Sequence, residues 1–173
     1  MQKKGIKFFT LLGNHDIAFK NTLEVNSPQL LLREYENITI YDAPFNDEKL
    51  GVDIIPWICK DNETEIMQYI KNSTNQICFG HFEIQGFEMD RGNICHEGME
   101  ASTLDKYDIV LSGHFHHKSS DGKITYVGTP GEMTWADYND ERGFHIFDTV
   151  TGDLEFIENP NKIFVKIKYN DEA

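Results

Sequence analysis

Cysteine is scarce in this chain, and so is positive charge. The three cysteines, Cys59, Cys78 and Cys95, are widely spaced and form no Cys-x-x-Cys pair. An odd, scattered set excludes a disulfide framework and a thiolate zinc site, and is what reduced thiols in a cytoplasmic protein look like. Lys and Arg number 16 against 29 Asp and Glu, for a net charge of −13. Affinity for a nucleic-acid backbone comes from cations, so a protein of this balance needs metal ions, a partner or a further domain to hold DNA. No apolar run approaches the roughly 20 residues of a membrane span. No small-residue cleavage site follows a long apolar segment, so neither a signal peptide nor membrane association is expected. Two carboxylate motifs are missing as well: neither Asp-x-His nor Gly-Asp-x-x-Asp precedes Gly13. A hydrolase that works with two metals needs such carboxylates.

What is present describes a globular domain. Hydrophobic residues make up 39% of the 173 positions and aromatics 12%, which is too apolar for a disordered chain and enough for one packed core. We read residues 1–173 as a single domain. Ile6 to Leu12, Ile38 to Tyr41, Val52 to Trp57, Gln76 to Gly80 and Asp108 to Ser112 are short β-rich or apolar runs, the last two with the look of strands buried on both faces. Ser27-Pro28 opens a helix running to about Glu36, with Ser27 as its N-cap. Asp61 caps a second helix that places Ile66, Met67 and Ile70 on one face. From Lys123 onward, Ile124 to Val127, Gly143 to Asp148, Leu154 to Glu158 and Ile163 to Tyr169 follow closely, with Thr151-Gly152-Asp153 as a hairpin turn. The polar, Gly-containing stretch Glu83 to Met99 reads as a long functional loop. Helices alternating with strands, then antiparallel strands, predict a mixed α/β (α+β) domain with two packed sheets.

Three short motifs carry the chemistry. Gly13-Asn14-His15-Asp16, Gly80-His81 and Gly113-His114-Phe115-His116 each follow an apolar run. Taken singly, each has a bland reading: Gly, Asn and Asp favour turns, and a lone His after a strand is usually a surface residue. In this order, each at a strand end, they deliver one amide oxygen and several imidazoles to one rim of a sheet, where α/β sites gather. Such ligands suit manganese, iron or zinc, and a metal pair provides the hydroxide and charge compensation that phosphodiester hydrolysis needs. Asn14, His81, His114 and His116 are the candidate metal ligands. His15 is the candidate proton donor to a leaving oxygen, with Asp16 to orient it. His96, His117 and His145 receive no role. Trp57 and Trp135 are read as packing, with Trp135 near enough to the Gly128-Thr129-Pro130-Gly131 loop to line a cleft.

With these motifs in place, the sequence resembles the calcineurin-like metallophosphoesterases, and more closely the SbcD-like nuclease subunits of phage recombination endonucleases. Further segments that carry the likeness are Ile55-Pro56-Trp57-Ile58-Cys59, Gly80-His81-Phe82-Glu83, Val127-Gly128-Thr129-Pro130 and Arg142-Gly143-Phe144. The resemblance extends over roughly Ile6 to Pro160. It implies a two-sheet β-sandwich flanked by helices. It implies that Asn14, His81 and His114 bind one metal and His116 the other, manganese in such nucleases, and that His15 is the catalytic histidine with Asp16 behind it. The implied partners are DNA and an SMC-like ATPase subunit.

The family's Asp-x-His and Gly-Asp-x-x-Asp motifs would lie upstream of Gly13, and its DNA-capping domain and ATPase-binding segment downstream. The chain is therefore expected to be the C-terminal portion of a catalytic domain, lacking the first strands and helices. It should hold one metal or none by itself, with an exposed sheet edge or apolar face where an upstream polypeptide would complete the site. The competing expectation is a non-catalytic binding or regulatory module that pairs with a nuclease complex. A phosphatase acting on a small phosphoester shares the motifs but not the segments around Trp57 and Gly128.

Overall fold

Short apolar runs bounded by turn residues build most of the chain's strands. A computed structural model describes residues 4–169. Along the chain run β1 (Phe8–Leu11), β2 (Ile17–Phe19), β3 (Thr22–Asn26), α1 (Ser27–Leu32), β4 (Ile38–Tyr41), β5 (Phe45–Asp47) and β6 (Val52–Ile55). They are followed by α2 (Glu63–Asn72), β7 (Ile77–His81), β8 (Glu88–Asp90), β9 (Asn93–Ile94) and β10 (Ile109–Gly113). The last elements are β11 (Ser119–Ser120), β12 (Ile124–Tyr126), β13 (Gly143–Phe147) and β14 (Leu154–Glu158).

A six-stranded sheet in the order β11-β12-β10-β7-β6-β5 forms the centre. Its four inner strands are parallel and both edge strands antiparallel. Parallel strands must be covered on both faces, and here the two faces are covered unequally. On one face Ile55, Cys78, Val110 and Ile124 are buried together with Ile66 and Ile70 of α2 and with Phe82, Leu104 and Tyr107. Asp53, fully buried on this face, accepts hydrogen bonds from Tyr107 (2.7 Å), Tyr69 (3.0 Å) and Asn75 (2.8 Å), which satisfies a carboxylate that would otherwise be costly to bury.

Two separate two-stranded pieces meet the opposite face. The parallel pair β1–β4 brings Leu11 and Tyr41 onto Val52 and Ile54. The antiparallel hairpin β13–β14 brings Phe147 edge-on against Phe79, with ring centroids 5.6 Å apart. This is the expected mixed α/β sandwich. Its second layer is discontinuous among the described residues, and Ile77, Phe79, Ile109 and Leu111 on the covered face remain half-buried.

Several expectations need correction. The N-cap of α1 is Asn26, whose side chain accepts the Gln29 amide at 2.8 Å, and the helix stops at Leu32. α2 begins after Asn62 rather than Asp61. Asn62 turns backward, accepting the Cys59 amide (2.8 Å) and donating to the Trp57 carbonyl (3.0 Å), so it fixes the segment that leaves β6. The stretch from Glu83 to Met99 is not an open loop: it contains β8 and β9 and places Ile84, Phe87 and Cys95 in the main core. Residues 163–169 form no strand. They run as an unpaired segment pinned by Glu132, which accepts the amides of Ile163 (2.6 Å) and Phe164 (2.8 Å). All three cysteines are free and buried.

Candidate metal centre

Sheet register brings the site together. Gly113 pairs with His81 across β10 and β7, so both strands end at the same level and His114 follows one residue later. The end of β1 is tied to the same level by the Trp57 amide, which donates to the Leu12 carbonyl at 2.7 Å. Asn14 Oδ1 then lies 3.0 Å from His81 Nε2 and 3.2 Å from His114 Nδ1. One amide oxygen and two imidazole nitrogens, from three elements far apart in sequence, converge on one point.

The glycines of the motifs explain the closeness. A Cβ on Gly13 would sit 2.7 Å from the His81 ring, and one on Gly113 2.9 Å from its Nδ1. A Cβ on Gly80 would fall 2.1 Å from the Phe82 ring. Each glycine thus makes room for a ring that the site or the core needs there.

Burial controls the protonation of the two convergent imidazoles. Desolvation, reinforced by His114 and His15, pushes His81 down to about 4. Desolvation, reinforced by His15 and His116, likewise pushes His114 down to about 4. Both rings are therefore neutral at physiological pH, which is the form that ligates a metal. Trp57 packs over them, its ring 5.1 Å from His114 and 5.9 Å edge-on to His81. It belongs to the site wall and not only to the core; its position directly after β6 in Ile55-Pro56-Trp57 was the available signal. A cleft of about 380 Å³ opens beside His81, between Trp57, Met67, Phe82 and Met99.

The remaining candidates lie around this point. His15 is exposed at its rim and close enough to act on the charge of both half-buried imidazoles. Asp16, expected to orient His15, bonds to the backbone of the turn itself. Its Oδ2 accepts the Gly13 amide at 2.7 Å, while its own amide donates to the Gly13 carbonyl, so it braces the turn. His116 is half-buried on the far side of the turn after β10. That turn carries backbone strain: His114 has φ +93°, a conformation L-residues rarely adopt. Phe115, between the two histidines, is buried and stacked on Tyr126 at 4.4 Å.

The donor set fits a divalent metal in kind but not in number. Two neutral imidazoles and one amide oxygen are suitable ligands. Among the described residues, however, no group of three or more His, Cys, Asp or Glu side chains converges to hold a metal ion. No helix among them is long and apolar enough to cross a membrane.

No family model matches the chain. It is 41% identical over 167 residues to exonuclease subunit 1 of Enterobacteria phage T4. The match takes in 95% of this chain and 49% of that protein, so the chain spans about half the length of the curated relative it matches. Identity of that extent along almost its whole length makes the chain a relative of the phage exonuclease subunit.

Proposed function

We propose that this chain forms part of a metal-dependent DNA nuclease subunit of the metallophosphoesterase class, acting in a recombination or repair complex. The observation that carries the reading is the convergence of Asn14 Oδ1, His81 Nε2 and His114 Nδ1 within 3.0 and 3.2 Å. The likeness to a phage protein named an exonuclease subunit supports a nuclease reading. Asn14, His81 and His114 are the ligands of one divalent metal, manganese by preference, and His116 is a ligand of a second. Metal bound there would supply charge compensation on the phosphoryl oxygens and an activated water. His15, exposed at the rim, donates a proton to the leaving oxygen. Asp16 holds the Gly13 turn that aims His15.

Among the described residues no carboxylate joins His81 and His114 in a metal-holding group, and a bridging carboxylate is what a two-metal centre requires. Further polypeptide bearing Asp-x-His and Gly-Asp-x-x-Asp is proposed to complete it. Half-buried Ile77, Phe79, Ile109 and Leu111 favour this, because the two pieces that meet this face leave them partly exposed. A chain of net charge −13 is a poor holder of DNA by itself, and the family resemblance implies an SMC-like ATPase as the partner that bears the DNA. The lack of a ligating carboxylate among the described residues also favours one rival reading, a non-catalytic module that pairs with a nuclease complex.

Incubation with manganese and end-labelled DNA separates the two, with the chain alone and with the completing polypeptide added. Cleavage only in the mixture, abolished by His15→Ala with metal content spared, is the expected result. Robust cleavage by the chain alone would refute the incomplete site. A folded mixture that never cleaves would favour the binding module.

A further inference from the structure

Arg142 is the largest side chain in the fully buried core, 2% exposed, and the proposed chemistry leaves it without a task. Its Nη1 donates to the backbone carbonyl of His116 and to Thr129 Oγ1 (2.8 Å). Its Nη2 donates to Asp137 Oδ1 (2.8 Å) and Asp140 Oδ2 (2.7 Å). The other oxygen of Asp137 accepts the amides of Met133 and Thr134, and the Asp140 carboxylate also meets His117 Nδ1 at 2.9 Å. One guanidinium therefore joins the turn after β10, the loop at Thr129 and the turn from Met133 to Asp140. Gly128, at φ +71°, lets the loop approach: a Cβ there would lie 2.9 Å from the same His116 carbonyl.

Burying a guanidinium with two carboxylates is a poor way to gain stability, since desolvation offsets the attraction. The planar fork of Arg does something an apolar side chain cannot, which is to hold several acceptors in fixed directions. The gripped carbonyl belongs to His116, two residues past the strained His114. A strained backbone persists only where its surroundings over-determine it. The turn is held at one end by β10 and at the other by this carbonyl, which takes both the Arg142 guanidinium and the Thr129 amide (3.2 Å).

We infer that Arg142 is a positioning residue for the His114–His116 turn: through the His116 carbonyl it holds His114 in its strained conformation and fixes where both imidazoles point. The inference rests on the reading of these histidines as metal ligands, and it assigns the buried Asp137–Arg142–Asp140 cluster to that site rather than to general stability.

The test uses the whole chain with Arg142→Lys, which keeps the charge and loses the fork. Three readouts apply: imidazole ¹⁵N shifts of His114 and His116, hydrogen exchange of the Thr129 amide, and the manganese concentration that half-broadens the His114 signals. Expected are a folded protein with core methyl signals of Ile66 and Val110 unchanged, displaced imidazole shifts, Thr129 exchange at least tenfold faster, and a manganese midpoint at least tenfold higher. Wild-type shifts and exchange in the folded variant would overturn the inference. Should Arg142→Lys fail to fold, the double variant Arg142→Met with Asp137→Asn removes one charge of each sign and is held to the same outcomes. If manganese leaves every histidine signal of the unaltered chain untouched, the metal reading fails, while shifts and exchange still decide the role of Arg142.

Discussion

Packing sets both the position and the charge of the central histidines. His81 and His114 are each pushed from 6.5 to about 4, first by burial and then by neighbouring imidazoles. In the unfolded chain both titrate near 6.5. Between about 6.5 and 4 the unfolded state therefore binds protons that the folded state refuses. Their contribution to stability is full above pH 6.5, is lost as the pH falls through that window, and levels off below the folded values. A pKa unit corresponds to about 1.4 kcal/mol. Both rings keep some solvent contact, so the joint loss is on the order of 2–4 kcal/mol. Urea unfolding at pH 7.5 and pH 4.5, for the parent chain and for His81→Gln with His114→Gln, isolates this effect. The double variant should show the smaller drop, and equal drops would sink the assignment. The glycines make a second residue-level prediction. Gly80→Ala forces a methyl against the Phe82 ring, 2.1 Å away, and overpacking of this kind costs about 1–3 kcal/mol, which chemical denaturation would register. Gly113→Ala meets only the His81 ring at 2.9 Å, so its expected effect is a displaced His81 imidazole signal with a nearly unchanged unfolding midpoint.

Elements with a strong local pattern were legible from the sequence, and elements held by distant partners were not. β4, β14 and the hairpin turn at Gly152 follow from alternating apolar residues and turn chemistry, which are properties of neighbours in the chain. β7 and β10 follow from apolar runs, and their register is what makes Gly80-His81 and Gly113-His114 a site. Arg142 could not be read this way: Asp137 and Asp140 lie close to it in the chain, but the His116 carbonyl and Thr129 that it also grips come from two other loops. Asp53 is similar: a lone acidic residue inside an apolar run, explained only by two tyrosines and an asparagine from other elements. Ile163, Val165, Ile167 and Tyr169 alternate as a strand should, yet strand formation requires a neighbour and they find none among the described residues. Glu132 instead anchors the start of this segment, helped by Phe164 packing on Trp135 at 4.7 Å. Glu132→Ala should free it. Trypsin cleavage after Lys162 and Lys166 is expected to accelerate at least fivefold, with cutting elsewhere unchanged; an unaltered cleavage pattern would mean the tether does not hold the segment.

Among the described residues the molecule is a sandwich with one continuous six-stranded layer and the other in two pieces. Cys78 and Val110 on the α2 side are fully buried, whereas Ile77, Phe79, Ile109 and Leu111 on the other side are not. The β1–β4 pair adds Phe8 and Phe9 to the exposed surface, at 37% and 43%. A two-stranded parallel sheet with open faces is weak by itself. Apolar surface of this kind is suited to contact with further polypeptide, as the proposed completion of the metal centre requires. If that is so, stability must depend on the concentration of the completing polypeptide. A ligand that binds only the folded state adds about 2.7 kcal/mol at one hundred times its dissociation constant. The melting temperature of the chain should therefore climb steadily as the polypeptide carrying the two carboxylate motifs is titrated in, and binding of a hydrophobic dye should fall in parallel. Phe9→Lys places a charge on the exposed β1 surface and should blunt both responses without touching Asn14, His81 or His114. A melting temperature that stays constant across the titration, with the mixture shown by light scattering to remain two separate chains, would remove the structural basis for completion in trans.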